Sequence, residues 1–255
     1  LMKFPIGHQR KMSTMKKILD KMHDIWETLV FWVGDIRSLS TFPWVTWAIR
    51  YHKVHFGEIH EASKIVQPGD IGVHRDDGYL SNVAIPGFQK HAWIHIEGGD
   101  IVEAISEGVV RRDMYYPLYS DYAIIFRPKN VTQEEIDLAV TKAKSTIGEN
   151  YDVDFNFDIE TEVDIFRDPD SKLSKGYDQA FSCTEVVSFS WWHKRDQLNI
   201  TRSTKRGKEV VLADDFFNDS YEIAWMSESV TMESARDLGL HPTGQRMISE
   251  YRNRN

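Results

Sequence analysis

Apolar residues along the chain fall into two rhythms. Over residues 13–37, Met15, Ile18, Leu19, Met22, Ile25, Trp26, Leu29, Val33 and Ile36 recur at spacings of three and four, which predicts one long amphipathic helix. A second aromatic segment follows Pro43, with Trp44, Trp47, Ile49 and Tyr51. From Gln67 the period changes. Pro68-Gly69-Asp70 is a turn signal, and Ile71-Gly72-Val73 begins a short strand. Beyond a loop over 76–90, His91-Ala92-Trp93-Ile94-His95-Ile96 alternates with period two. His91, Trp93 and His95 therefore share one face, and Ala92, Ile94 and Ile96 the other. Gly98-Gly99 permits a tight reversal into Ile101–Ile105, which is expected to pair antiparallel with the preceding strand. Tyr122–Phe126 predicts a third strand of a small sheet.

In the second half, Thr132-Gln133-Glu134-Glu135 has the spacing of a capping box. It opens a helix with Ile136, Ala139, Val140, Ala143 and Ile147 turned inward, and Gly148 is its expected stop. Tyr151–Asp158 alternates acids and amides with apolar residues and reads as an extended segment with one wet face. A calcium loop is excluded there, because Phe157 and Val163 stand where glycine and glutamate are required. Residues 160–178 read as a polar surface loop. Ser182 and Glu185 make a further capping box, followed by Val186, Val187 and Phe189. Val210–Leu212 and Ile223–Trp225 suggest short strands, and the segment from Thr231 is expected to be a loose polar tail.

Composition narrows the class. A chain of 255 residues, 41% apolar, can bury one substantial core with a small appendage. A net charge of −8 argues against a general nucleic-acid partner. A lone cysteine forms no internal disulfide, which is compatible with a reducing compartment. The basic residues Lys3, Arg10, Lys11, Lys16 and Lys17 are followed by apolar positions interrupted by Asp20, Asp24, Glu27 and Asp35, so no secretory leader is read. No run approaches the roughly 18–20 apolar residues of a membrane span. A cytoplasmic location is the expectation. Four of the eight tryptophans fall between residues 26 and 47, a density that suits a membrane-surface element. The acids of the first helix dilute its positive face, which favours helices packed on protein over peripheral contact with lipid. His52, His55 and His60 match no tight metal spacing and are expected to face solvent. The basic run Lys194, Arg195, Arg202, Lys205, Arg206 and Lys208 reads as a solvated loop.

The candidate chemistry starts at Cys183. With Ser182 as N-cap, Cys183 is the first helical residue, where unpaired N–H groups and the helix dipole favour the thiolate. The alternative is a small buried hydrophobe. A nucleophile needs a base, and the hairpin supplies two histidines and an acid. A turn centred on Glu97 sets His91 opposite Glu103; one centred on Gly99 sets His95 there instead. A two-residue Gly98-Gly99 turn puts Glu103 on the other face from both, since a one-residue slip inverts the pleat. A His–Glu pair of this kind would orient the ring and stabilise the imidazolium.

Several segments together resemble the circularly permuted branch of the NlpC superfamily of papain-like cysteine hydrolases, and more narrowly its YiiX/YebB-type group. They are Pro68-Gly69-Asp70-Ile71, Ile85-Pro86-Gly87-Phe88, His91-Ala92-Trp93-Ile94, Val102-Glu103-Ala104, Tyr151-Asp152 and Ser182-Cys183-Thr184-Glu185-Val186, within residues 66–130 and 147–190. The order is distinctive, because the cysteine follows the histidine. The resemblance implies an α+β, circularly permuted papain-like (NlpC-type) fold: a small antiparallel sheet packed on the helix carrying the cysteine. Residues 1–62 would be an amphipathic helical extension, 63–230 the catalytic domain and 231–255 a polar tail. It also implies Cys183 as nucleophile, His91 as base and Glu103 as its orienting acid, with the turn centred near Glu97. Tyr151 matches a tyrosine near the family's site, and His95 falls where the family has tyrosine; both are candidates for substrate or oxyanion contacts. The implied activity is hydrolysis of an amide bond in a peptide or small molecule, such as a cell-wall peptide or amino-acid amide, with no metal or organic cofactor. Thioester hydrolysis, lipid hydrolysis or acyl transfer, and a non-catalytic binding module on the same fold, are the alternatives.

Overall fold

Six of the short apolar runs become one antiparallel sheet. In a computed structural model of the chain, the described residues are 52–79, 82, 85, 87–152, 180–200, 203–205 and 208–254. The expected helix over 13–37, the aromatic segment through Tyr51, most of the alternation after Tyr151 and the loop over 160–178 lie outside the described residues. The sheet is built from β1 (Ile71–Arg75), β2 (His91–Glu97), β3 (Asp100–Ile105), β4 (Gly108–Asp113), β5 (Tyr122–Pro128) and β10 (Tyr221–Met226), in the order β10-β5-β1-β2-β3-β4. Between β5 and β10 in sequence, β6 (Asn150–Tyr151) and β7 (Ala180–Phe181) form a parallel bridge, and β8 (Ser203–Lys205) pairs antiparallel with β9 (Lys208–Val210).

The helices are α1 (Phe56–Ile65), α2 (Tyr115–Leu118), α3 (Gln133–Ser145), α4 (Cys183–Ser190), α5 (Met232–Asp237) and α6 (Pro242–Arg254). They cover the sheet on both sides, and the pleat decides which side chain goes where. On one side Ile71, Val73, Ala92, Ile94, Val102 and Ala104 pack with Ala139 and Ala143 of α3 and Val186 and Val187 of α4. On the other, Trp93, Ile101, Ala123, Ile125 and Trp225 pack with Ile59 and Ala62 of α1 and Leu118 of α2. Gly72 is what lets Trp93 lie flat there: a Cβ at position 72 would stand 1.9 Å from the indole ring. The class is α+β, as the sequence predicts.

The reversal between β2 and β3 differs from each register considered for it. Gly98 and Gly99 form a two-residue turn with φ of 59° and 98°, left-handed values that glycine adopts without strain. Glu97 pairs with Asp100, yet the register shifts between His95 and Glu97, so that His95 faces Ile101 and Ile94 faces Val102. This bulge absorbs one residue and undoes the pleat inversion that a two-residue turn imposes. Glu103 therefore returns to the face of His91. The turn centred on Glu97 is corrected: the two side chains meet on a diagonal instead of directly opposite.

Other expectations change as well. The segment from Thr231 is helical, because Ala235, Leu240, Met247 and Ile248 are spaced to reach the core and are buried in it. A loose polar tail over 231–255 is thus overturned. The chain divides into two units, Leu1–Thr46 with Gly78–Ala84 and Trp47–Asp77 with Ile85–Asn255, so the boundary expected at residue 62 is corrected too. It would fall inside α1, whose Ile59 and Ala62 belong to the core. His52 is buried and pairs with Asp76 at 3.2 Å, against the expectation of solvent, while His55 and His60 are exposed. Ile147, expected inward, is exposed because α3 ends at Ser145. Among the described residues no helix is long and apolar enough to cross a membrane.

Candidate active site

Cys183 opens α4 where the spacing of Ser182 and Glu185 predicts. Ser182 is extended at the N-cap, and the Glu185 carboxylate accepts its N–H at 2.7 Å. Every residue of α4 is buried, so the helix start is fixed by packing as well as by capping. The β6–β7 bridge sets Tyr151 beside Phe181, two residues ahead of the thiol.

His91 is the first residue of β2, and its position is fixed by the chain just before it. The Asp214 carboxylate accepts the N–H groups of Phe88 at 2.6 Å and Gln89 at 2.8 Å. Gly87 makes this possible, with φ of 99° and room for no Cβ, which would meet Asp214 Oδ2 at 2.6 Å. The Lys90 N–H then donates to the His74 carbonyl at 3.1 Å and starts the ladder with β1.

The imidazole of His91 has a partner on each side. Its Nε2 lies 2.9 Å from Oε2 of Glu103. That leaves Nδ1 for Cys183, to which the ring is hydrogen-bonded. The second oxygen of Glu103 accepts from Arg112 Nη1 at 3.1 Å, and the carboxylate is almost fully buried. Arg112 also lies over the Tyr116 ring, 4.5 Å from its centroid. The line Cys183–His91–Glu103–Arg112 thus runs from the helix start across β2 and β3 to β4.

The electrostatics follow from that line. Burial alone pushes the Cys183 thiol up, but the charge and hydrogen bond of His91, with the N–H groups of Ala92 and Thr184, hold it below its ordinary value. Burial pulls His91 down, yet the thiolate of Cys183 and the carboxylate of Glu103 raise it to about 10. Burial raises Glu103, and the charge and hydrogen bond of His91, joined by His74 and Arg112, outweigh it and keep the carboxyl low. Both shifts act toward a thiolate beside an imidazolium. Tyr151 is driven well above its ordinary value by burial and by the negative charges of Cys183, Glu185 and Asp152, so its phenol keeps its proton next to the sulfur.

The structure therefore brings Cys183, His91, Glu103 and Tyr151 together. It does not bring His95. That ring sits four positions along β2, opposite Ile101, with Asp70 and Asp100 as its charged neighbours. Burial lowers its pKa, and it is corrected from a candidate substrate or oxyanion contact to a core histidine. Two site residues escape sequence reasoning. Arg112 lies on β4, a strand the sequence reading did not mark, although Gly108, with φ of 105°, closes the Ser106-Glu107 turn that leads into it. His74 follows directly on the Ile71-Gly72-Val73 strand start, and only the period-two pattern Gly72, His74 marks its face. Among the described residues, no group of three or more His, Cys, Asp or Glu side chains is placed to hold a metal ion.

No protein-family model matches the chain, and no curated protein matches its sequence. Among solved structures, the chain is similar to the metalloprotein yiiX of Escherichia coli O157:H7, DUF1105. The likeness has a TM-score of 0.45 and 14% sequence identity, and it covers 62% of this chain and 96% of that one.

Proposed function

We propose that the chain is a cysteine-dependent hydrolase of amide bonds, an amidase or peptidase working through an acyl-enzyme on Cys183. In this reading the domain is a permuted papain-like one, with the histidine ahead of the cysteine in sequence. The observation that carries it is the run of a lowered thiol, an imidazole raised to about 10 and a buried carboxylate 2.9 Å from that imidazole. A structural cysteine in an apolar core has its thiol raised and is inert; this one has a proton acceptor built beside it.

The chemistry runs in two halves. The Cys183 thiolate attacks the substrate carbonyl carbon, a C–S bond forms, and the carbonyl electrons move to oxygen. Backbone N–H groups at the start of α4, including that of Cys183, receive the oxyanion. His91 gives its Nδ1 proton to the leaving nitrogen as the C–N bond breaks. The neutral ring then takes a proton from water, which attacks the thioester and releases the acid and the thiolate. Glu103 keeps the ring oriented and stabilises the imidazolium in both halves, and Arg112 keeps Glu103 anionic.

The test is the rate of Cys183 alkylation by iodoacetamide against pH, in the parent, His91→Ala and His95→Ala. Fast alkylation below about pH 7, well under the ordinary thiol range, is expected in the parent and in His95→Ala. In His91→Ala the profile moves up toward that of a free thiol. An ordinary profile indifferent to His91 would sink the enzyme reading and leave a binding module. Amides, esters and thioesters of one acyl group then separate the hydrolase classes: turnover of the amide is expected, and turnover of the ester or thioester alone would replace the amidase by an acyl-transfer enzyme.

A further inference from the structure

The sheet face that carries His91 holds a second histidine with no part in that chemistry. His74 lies on β1 directly across from His91 in the antiparallel register. The two rings pack with centroids 4.8 Å apart and planes at 51°. Nδ1 of His74 is buried and has no hydrogen-bond partner among the described residues. His91 faces it from β2, Glu103 from β3, Arg112 from β4, and His52 from the segment ahead of α1. Burial comes first, then the charge of His91, in holding the pKa of His74 down to about 3 against the pull of Glu103. The ring is therefore neutral above about pH 3, which takes in the neutral range where His91 is an imidazolium.

An imidazole that must bridge an acid and a thiol has to keep its plane. Glu103 fixes one nitrogen only, and rotation about the outer side-chain bond, which is soft for histidine, would carry the other away from the sulfur. A second ring packed against it at a tilt, 4.8 Å away, restricts that rotation. A charged group in the same place would oppose the imidazolium at short range. We infer that His74 is a positioning residue: its neutral ring, packed from the neighbouring strand, holds the His91 imidazole in the plane that joins Glu103 to Cys183. This rests on the Cys183–His91 pairing of the proposed function.

Cys183 is the one cysteine of the chain, so iodoacetamide alkylation of the full chain reads this site alone. The profile is taken from about pH 5 to 9, spanning the range of lowered and ordinary thiols, for the parent, His91→Ala, His74→Ala, His74→Phe and His74→Lys. His74→Ala is expected to raise the midpoint by about one unit and to slow alkylation near pH 6 by about tenfold. His74→Phe, which keeps a flat neutral ring, stays within about threefold of the parent with the parental midpoint, and His74→Lys is at least as slow as His74→Ala. A His74→Ala profile lying on the parent's overturns the inference. So does His74→Phe as slow as His74→Ala when both keep the parental circular dichroism. If His74→Ala does not fold, equal profiles for His74→Phe and His74→Lys overturn it. An ordinary parent profile unchanged by His91→Ala overturns the pairing and this inference together, whereas a His91-dependent parent with an unshifted His74→Ala overturns the positioning role alone.

Discussion

Glu103 has 2% of its surface exposed and still carries a charge, because each of its oxygens meets a cation or a ring that becomes one. Glu103→Gln keeps the shape and removes the charge. His91 then loses the partner that stabilises its protonated form, and Arg112 is left without a counter-ion on the site side. Alkylation of Cys183 at about pH 6 is expected to fall by tenfold or more, each pKa unit lost from the pair being a factor of ten. The variant should also show a pH signature in stability. The Glu103 carboxyl is held below its ordinary 4.5, so its contribution is present above that value and is lost as pH falls through the lowered one. Denaturant melts of parent and Glu103→Gln should therefore differ at neutral pH and converge in acid; a gap that stays constant with pH would contradict the assignment. At this scale the capping residues and Cys183 were legible, since Ser182 and Glu185 are local in sequence. Arg112 and His74 were not, since each matters only through a neighbour on another strand.

The elements show how narrow the fit around the site is. β1 crosses beneath Trp93 at Gly72, and the ring occupies the volume that any Cβ would need. Gly72→Ala is expected to destabilise the chain by about 2–3 kcal/mol, the upper range for overpacking a filled core. A chemical-denaturation midpoint within error of the parent would show that Trp93 can move aside at no cost. The same element pair sets the line of the site, since Gly72 faces Trp93 one pleat away from where His74 faces His91. The β2–β3 turn makes the complementary point. Gly98-Gly99 was readable as a reversal, but the bulge between His95 and Glu97 was not. Nothing in those residue types announces which of them is left unpaired; the packing of Ile94, Ile96 and Val102 against one core and Trp93 and Ile101 against the other decides it.

At the scale of the whole molecule, residues 231–254 close the core of the described residues. Ala235, Leu240, Met247 and Ile248 complete the core on the side of the sheet that holds α3 and α4. Arg252 donates to the carbonyl oxygens of Ser227, Glu228 and Val230 and so ties α6 back to the end of β10. Deleting residues 231–255 would remove Leu240, Met247 and Ile248 from the core, three large apolar side chains worth about 1.5–3 kcal/mol each when buried. The sum approaches the total stability of an ordinary domain, roughly 5–15 kcal/mol. The truncated chain is expected to lose its cooperative thermal transition or to melt at least about 10 °C lower. A parental melt would mean that the C-terminal helices are accessory to the core.

The sequence by itself determined the period of β2, β3 and β5, the capped start of α3, the start of the cysteine helix, a reversal at Gly98-Gly99 and the α+β class. All of these depend on residues within a few positions of one another, where capping, φ freedom and alternation act. The order of the strands, the bulge that returns Glu103 to the face of His91, the strand carrying Arg112 and the burial of the C-terminal helices were decided only by the tertiary structure. Each of them depends on which apolar face meets which, and burial is a property of the assembled core that no local run of residues contains.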